Sequence, residues 1–515
     1  MKYLLKTLLA VCLCSCVYSN AQKNNKSSES VSSKPNIVII YADDMGFGDL
    51  NIQNPHSKIA TPNLDELASQ GMRFSDAHSS SGICTPSRFA LLTGQYHWRR
   101  GHGIVGGFGN PYFKDSDITL PQILKDYGYN TAAIGKWHLG WEWDIKNPPS
   151  IEEEHWGKKM KAYSHRDINW ETPIKGGPLQ RGFNYYFGDG TINFPPYCWI
   201  ENDLPIKAPN THLDLGDLQT AEGHWEFRPG PMVKGWDPYE VLPTLSKKAQ
   251  EWIRKQKKEE PFFLYFALPS PHAPIIPNKE FIGKSEAGGF GDFVFQTDYV
   301  VGEILKSLKD NGLSENTIII FTSDNGPERY AIERAENFGH FSSGDFKGVK
   351  RDVWEGGHHV PFIVSWPNVV EPGSVSKEVI SQVDIMATLA QICNIELSEQ
   401  AAPDSYNFLP VLVQENYKSP LREATVHNTY KDKWGLRMGD WLYINHSSGA
   451  GKQDLPDSYN ALRGYKKFNT EGLLFNMKND WGQRINLFEQ YPEKVKEMKG
   501  LLQKYKDQDF SVKRE

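Results

Sequence analysis

The stretch Ile37, Val38, Ile39, Ile40, Tyr41, Ala42 runs directly into Asp43 and Asp44. Its first four residues are all apolar and β-branched, the pattern of a central strand covered on both faces. A second such run, Ile318, Ile319, Ile320 and Phe321, ends in Ser323, Asp324, Asn325 and Gly326. Thr131, Ala132, Ala133 and Ile134 lead into Gly135, Lys136, Trp137 and His138, and Phe262 to Phe266 lead into Pro271 and His272. Residues 361–366 read as one more strand, after Glu355, Gly356 and Gly357. Between them lie helical patterns: 62–70, opened by Pro62 and closed by Gly71, then 245–257, and 293–309, closed by Gly312. Strands alternating with helices predict an α/β fold, a large mixed, mostly parallel sheet sandwiched by helices.

In open α/β sheets ligands sit at the carboxyl ends of strands, so Asp43, Asp44, Asp324 and Asn325 are placed to converge. Carboxylates gathered without a cation repel one another and raise their own pKa values. A divalent metal resolves this, and all-oxygen ligation selects Ca²⁺ or Mg²⁺ over Zn²⁺. Asp and Asn also begin ordinary turns after strands. It is the pairing of two such strand ends that argues for a site.

Cys84, Thr85, Pro86, Ser87 and Arg88, followed by Phe89, Ala90, Leu91, Leu92, Thr93 and Gly94, form a third motif. Pro86 suits a first helical position and Gly94 a helix end, which predicts Cys84 just before a short helix whose N–H groups favour an anion. A single Cys more commonly packs in a core, but this one lies inside a long fixed pattern. The pattern resembles the signature read by formylglycine-generating enzymes. With Asp-Asp-Met-Gly at 43, Gly-Lys-Trp-His-Leu-Gly at 135 and Ser-Asp-Asn-Gly at 323, the chain from about Pro35 onward resembles the sulfatase family. That family is the formylglycine-dependent, type I branch of the alkaline-phosphatase-like superfamily, and the resemblance extends to bacterial polysaccharide sulfatases.

The resemblance implies that Cys84 is oxidised to formylglycine (3-oxoalanine) by a sulfatase-maturating enzyme, and that Asp43, Asp44, Asp324 and Asn325 bind one Ca²⁺ together with the modified Cys84. It is the resemblance that prefers calcium to magnesium. It implies that Arg88 holds the formylglycine oxygen, Lys136 and Lys350 contact the sulfate, His138 partners the second hydroxyl and His272 is the general acid for the leaving alcohol. The resemblance selects Lys350 over Lys347, because the family places its lysine five residues before the Glu of Glu-Gly-Gly, here Glu355. His359, after His358, stands where many relatives carry Arg. The expected activity is hydrolysis of sulfate esters on a carbohydrate, from algal ulvan or galactan or from a glycosaminoglycan. A phosphodiester or phosphonate monoester hydrolase with the same modified cysteine, and a non-catalytic carbohydrate-binding homologue, are the alternatives.

Composition fits an exported globular protein. The net charge of -6 gives no sign of nucleic-acid binding. Lys2 and Lys6 precede an apolar run over residues 8–17 and the small residues Ser19, Asn20 and Ala21, a signal peptide rather than a spanning helix. The expected product is periplasmic or secreted; a lipoprotein anchored through Cys16 is the alternative. The expected organisation is a signal peptide over 1–21, a flexible linker over 22–34, a catalytic domain over 35–422 and a C-terminal subdomain over 423–515. The last resembles the family's smaller α+β unit, with antiparallel strands near 436–444 and 473–477. Val495, Met498, Leu502 and Tyr505 sit at helical spacing near its end. Residues 141–243, rich in Trp, Gly and Pro, read as recognition loops.

Overall fold

The computed structural model describes residues 34–513 apart from 156–157 and 214–219. The expected signal peptide, Cys16 and nearly all of the expected linker lie outside the described residues. Apolar β-branched runs form the middle of a ten-stranded mixed sheet. Its parallel centre runs, in spatial order, Thr317–Ser323, Asn36–Ala42, Phe262–Ala267, Asn130–Lys136 and Tyr185–Gly190. Antiparallel pairing begins outside it, at Phe362–Ser365 and Met72–Phe74 on one flank and at Ile200–Glu201 and Leu204–Pro205 on the other.

The period-two alternation of the Asn36–Ala42 strand divides the core into two layers. Ile37, Ile39 and Tyr41 pack with Phe89, Leu91 and Leu92 of the Cys84–Thr93 helix. Val38, Ile40 and Ala42 face the opposite layer, where Leu64 and Leu67 of Pro62–Ser69 meet Val300, Val301 and Ile304 of Gly288–Asp310. A sheet covered on both faces is what uninterrupted apolar strands require.

Three boundaries depart from the sequence expectation. The helix after the Cys84 motif starts at Cys84 itself, with Pro86 third, because none of the first four N–H groups has an intrahelical partner to lose. Gly94 ends it in the left-handed region, at φ 60°. The helix expected over 293–309 extends back to Gly288, where tertiary packing of Phe290 overrides the poor propensity of three glycines. The strand Tyr185–Gly190 lies in a stretch read as loop.

The C-terminal region forms a four-stranded antiparallel sheet of Thr425–Asn428, Trp434–Met438, Trp441–Ile444 and Leu473–Asn476. The single strand expected near 436–444 is a hairpin turning at Gly439, whose φ is 54°. The helix Pro492–Asp507 buries Val495, Met498, Leu502 and Tyr505 in one cluster with Trp434, Leu436 and Leu474. No described helix is long and apolar enough to cross a membrane.

Candidate active site

Parallel register assembles the site. Ala42 lies beside Ser323, so Asp43 and Asp44 emerge next to Asp324 and Asn325. On the other side, Tyr41 lies beside Ala267 and Ala267 beside Gly135, so Lys136, His138 and His272 leave the same edge of the sheet. The backbone N–H of Asp44 donates to Asp324 Oδ1 at 3.1 Å, and Asn325 Nδ2 donates to Asp44 Oδ1 at 2.7 Å. Asp44 and His138 both adopt left-handed backbone, at φ 63° and 52°. Such conformations cost energy in non-glycine residues and cluster at functional sites.

The Cys84–Thr93 helix, every residue of it buried, brings its N-terminus to this edge. Thr85 Oγ1 donates to the His138 carbonyl at 2.9 Å and pins the two motifs together. Cys84 and Arg88, four residues apart, share a helix face. Arg88 Nη2 lies 2.7 Å from Asp324 Oδ2 and 3.4 Å from Asp43 Oδ1. Ligand-capable atoms of Asp43, Asp44, Cys84 and His272 all lie within 4.8 Å of one another. Lys136 pairs with Asp43, and Lys350 Nζ lies 2.7 Å from Asp44 Oδ1. Lys347 is elsewhere, its ammonium 4.0 Å from the centre of the Trp354 ring and about 5 Å from those of Tyr465 and Phe468.

Two buried oxygens, Asp43 Oδ1 and Asn325 Oδ1, have no hydrogen-bond partner among the described residues. Such orphaned acceptors are costly unless a cation or solvent satisfies them. Burial and the adjacent Asp43 carboxylate push Asp324 up against the pull of Arg88. Asp44, which burial alone would raise, is held below the usual range by Lys350 and His272. An all-oxygen set with unpaired acceptors fits a hard dication. Arg88, Lys136 and Lys350 already offset the charges of Asp43, Asp44 and Asp324, so a bound dication leaves the site net positive, as an anionic substrate requires.

Burial pushes the Cys84 thiol up to about 11, against Lys136 and Lys350. Burial, reinforced by Lys136 and Arg88, carries His138 well below its ordinary value, and neither of its ring nitrogens has a partner among the described residues. Burial and Lys350 lower His272 to about 4, although Asp44 opposes them. The Nε2 of His272 lies 3.6 Å from Asp44 Oδ2, while Nδ1 faces the Ala273 carbonyl.

Two nearby acids escape the sequence reading. Asp189, near the end of the unforeseen strand, has no hydrogen bond to either side-chain oxygen among the described residues and is raised to about 7 by burial. It lines a small cavity of about 20 Å³ with His138, Trp141, Thr191 and Phe194. Glu328 lies 3.4 Å from Lys350 and 2.6 Å from Arg351. A strand ending in Gly-Asp-Gly and an acid three residues after Asn325 were the available signals.

Most of the Trp-rich segment is packing. Trp143 packs between Trp141, tilted at 53°, and Trp170, edge-on at 74°, and Trp199 lies between Phe187 and Trp236. Trp225 is 42% exposed. Arg99 is tied to Asp404 and Arg100 to Asp117, so both brace the fold. A surface cavity of about 790 Å³, lined by Asn54, Lys58, Glu286 and Asp345 among others, contains none of the converging residues. Cys198 and Cys393 are buried, like Cys84, and Cys393 Sγ lies 3.1 Å from Tyr129 Oη.

A family model described as Sulfatase matches residues 35–395. The chain is 33% identical, over 94% of its own length and 96% of the relative's, to the N-acetylgalactosamine-6-O-sulfatase of Bacteroides thetaiotaomicron. It is 32% identical to the human N-acetylgalactosamine-6-sulfatase, over 92% of this chain and 86% of that protein. A solved structure described under metabolism of multiple glycosaminoglycans by Bacteroides thetaiotaomicron superposes with a TM-score of 0.76 at 30% identity, covering 92% of this chain and all of that one. The chain therefore belongs to the sulfatase family, and it is an enzyme that hydrolyses sulfate esters.

Proposed function

We propose that this sulfatase acts outside the cytoplasm on glycosaminoglycan-derived oligosaccharides, removing the 6-sulfate of N-acetylgalactosamine. The substrate reading rests on two relatives, from Bacteroides thetaiotaomicron and from human, that carry that activity in their names and align over most of this chain. Export rests on the charged and apolar start of the sequence. The mechanism rests on one observation, the meeting of Cys84 with Asp43, Asp44 and His272 beside unpartnered oxygens.

Cys84 is the residue a maturating enzyme converts to formylglycine, whose hydrate, formed by addition of one water to the aldehyde, supplies two hydroxyls on one carbon, one to attack sulfur and one to release the product. Asp43, Asp44, Asp324 and Asn325, with residue 84, would hold Ca²⁺, which supplies a hard positive charge for the nucleophilic and sulfuryl oxygens. Lys136 and Lys350 neutralise charge that grows on the sulfate oxygens, in a site where burial magnifies their effect. Arg88, a permanent cation anchored on Asp324, keeps the oxygen of residue 84 deprotonated.

The proton of the leaving alcohol belongs to His272. A carbonyl only accepts, so the contact with Ala273 places a hydrogen on Nδ1 and leaves Nε2 as the atom that carries the transferable proton. Its lowered pKa leaves the ring mostly neutral near pH 7, so the acid role runs through the protonated form that Asp44, 3.6 Å from Nε2, favours. His138, whose ring nitrogens have no hydrogen-bond partner among the described residues, takes the proton whose loss frees the product.

His272→Ala is expected to slow hydrolysis of a sugar sulfate by roughly 10²–10⁴-fold. It should slow an activated aryl sulfate far less, because that leaving group departs without a proton. Equal losses on both, from steady-state kinetics, would remove His272 from the role. The substrate is tested by sulfate release from a panel of matched oligosaccharides. N-acetylgalactosamine 6-sulfate is expected to exceed its 4-sulfate isomer by at least about 10²-fold in kcat/KM. Preference for ulvan or galactan fragments overturns the glycosaminoglycan reading, and preference for matched phosphate esters overturns the sulfate one.

A further inference from the structure

We propose that His78, His358 and His427 form a buried structural zinc site, built from none of the residues around Cys84. The three imidazoles come from distant parts of the chain. His78 closes the short strand Ala77–His78, His358 follows the Glu355–Gly357 turn, and His427 lies in Thr425–Asn428 of the C-terminal sheet. All three are at most 1% exposed, and ligand-capable nitrogens of the three lie within 4.8 Å of one another.

Hydrogen bonding settles which nitrogens face inward. His358 Nε2 lies 3.0 Å from the Val353 carbonyl, which only accepts, so that nitrogen carries the hydrogen. His78 Nε2 lies 2.7 Å from Asp76 Oδ1, whose other oxygen accepts from Arg437 Nη2 at 2.9 Å. With His78 neutral, both rings therefore turn an Nδ1 lone pair toward the other, 3.2 Å apart. Two lone pairs at that separation repel unless a cation lies between them. The spacing is that of neighbouring ligands on a tetrahedral ion with bonds of about 2.0 Å.

His427 argues for a metal rather than a shared proton. Its ring centre lies 3.8 Å from that of His358 and 4.6 Å from that of His78, yet neither of its nitrogens has a hydrogen-bond partner among the described residues. A proton between His78 and His358 leaves His427 unsatisfied. A metal uses it, once the ring tilts out of its stack. Glu355 supplies a fourth donor, with Oε2 3.9 Å from His78 Nδ1 and Oε1 facing Arg437 Nη1 at 3.9 Å without a hydrogen bond among the described residues. Carboxylate and carbonyl groups on the far nitrogens of ligating histidines are the usual outer support of a metal. Imidazole nitrogens with one carboxylate select zinc among abundant ions and reject calcium. His359, where an arginine is expected from the family resemblance, binds Glu355 Oε2 at 3.0 Å and so belongs to the same support. The ion would fasten the segment that leads through Ser79, Ser80 and Ser81 to Cys84 onto the C-terminal sheet.

The test is metal analysis of the full-length protein expressed with zinc, after dialysis against a chelator. A sealed site retains its ion until the chain unfolds, so about one zinc per chain is expected. Refolding from denaturant with Co²⁺ in place of zinc should give the visible ligand-field bands of a tetrahedral centre. His427→Ala should lose the zinc and melt at a lower temperature, whereas Asp324→Asn should keep it. If His427→Ala does not fold, zinc-edge absorption of the wild-type protein decides. An imidazole-rich shell at about 2.0–2.1 Å supports the site, and a shell of oxygens alone overturns it. Less than about a tenth of an equivalent, both as purified and after refolding with zinc, also overturns it and leaves the shared proton.

Discussion

Replacing Cys84 by Ser is expected to end sustained turnover, with a loss of roughly 10⁴-fold or more in steady-state kcat, the scale on which removal of a nucleophile acts. The physical reason is the count of hydroxyls. A serine offers one oxygen to sulfur and no second one to expel the product, so each molecule should react at most once and keep the sulfate. Intact-protein mass spectrometry after mixing with substrate should show that addition on the peptide containing residue 84. The substitution is close to isosteric at a buried helix start, so the fold should survive it. Cys84→Ala should be equally inactive but accumulate nothing. Multiple turnovers by the serine variant, or an unoxidised thiol in fully active wild-type protein, would contradict the scheme.

Removal of the proposed Ca²⁺ is expected to be the second large effect. Asp324→Asn withdraws a carboxylate that faces both Arg88 and the Asp43–Asp44 pair. The expected loss is roughly 10³-fold in kcat/KM, equivalent to about 4 kcal/mol of transition-state stabilisation. Bound calcium, measured by elemental analysis, should fall from about one per chain to well below it. Dialysis of the wild type against a calcium chelator should inactivate it, and Ca²⁺ should restore activity where Zn²⁺ does not, because the donors are all hard oxygens. Full activity in metal-free protein would show that Arg88, Lys136 and Lys350 suffice by themselves.

Much of this was legible in residue order, for physical reasons that differ from place to place. Ile37 to Ala42 and Ile318 to Phe321 could only be two-face-buried strands, and their shared register makes Asp43 and Asp324 neighbours. The final helix was readable because Val495, Met498, Leu502 and Tyr505 repeat on one stripe. Tyr185–Gly190 was not, since two glycines and an aspartate hide its alternation, and Asp189 was lost with it. The flanking strands Met72–Phe74 and Ser374–Ser376 are three residues each, too short for any period to show. His78, His358 and His427 carry no common spacing; only the tertiary fold brings them together.

Every residue of the Cys84–Thr93 helix is shielded from solvent. Any enzyme that must grip this segment to oxidise its cysteine therefore has a window in time rather than a docking place on the finished protein. The window opens when the segment leaves the ribosome and closes when Phe89, Leu91 and Leu92 find the sheet. A chain that folds ahead of its maturation would be well formed and permanently idle, so the yield of working molecules is governed by a race between two rates.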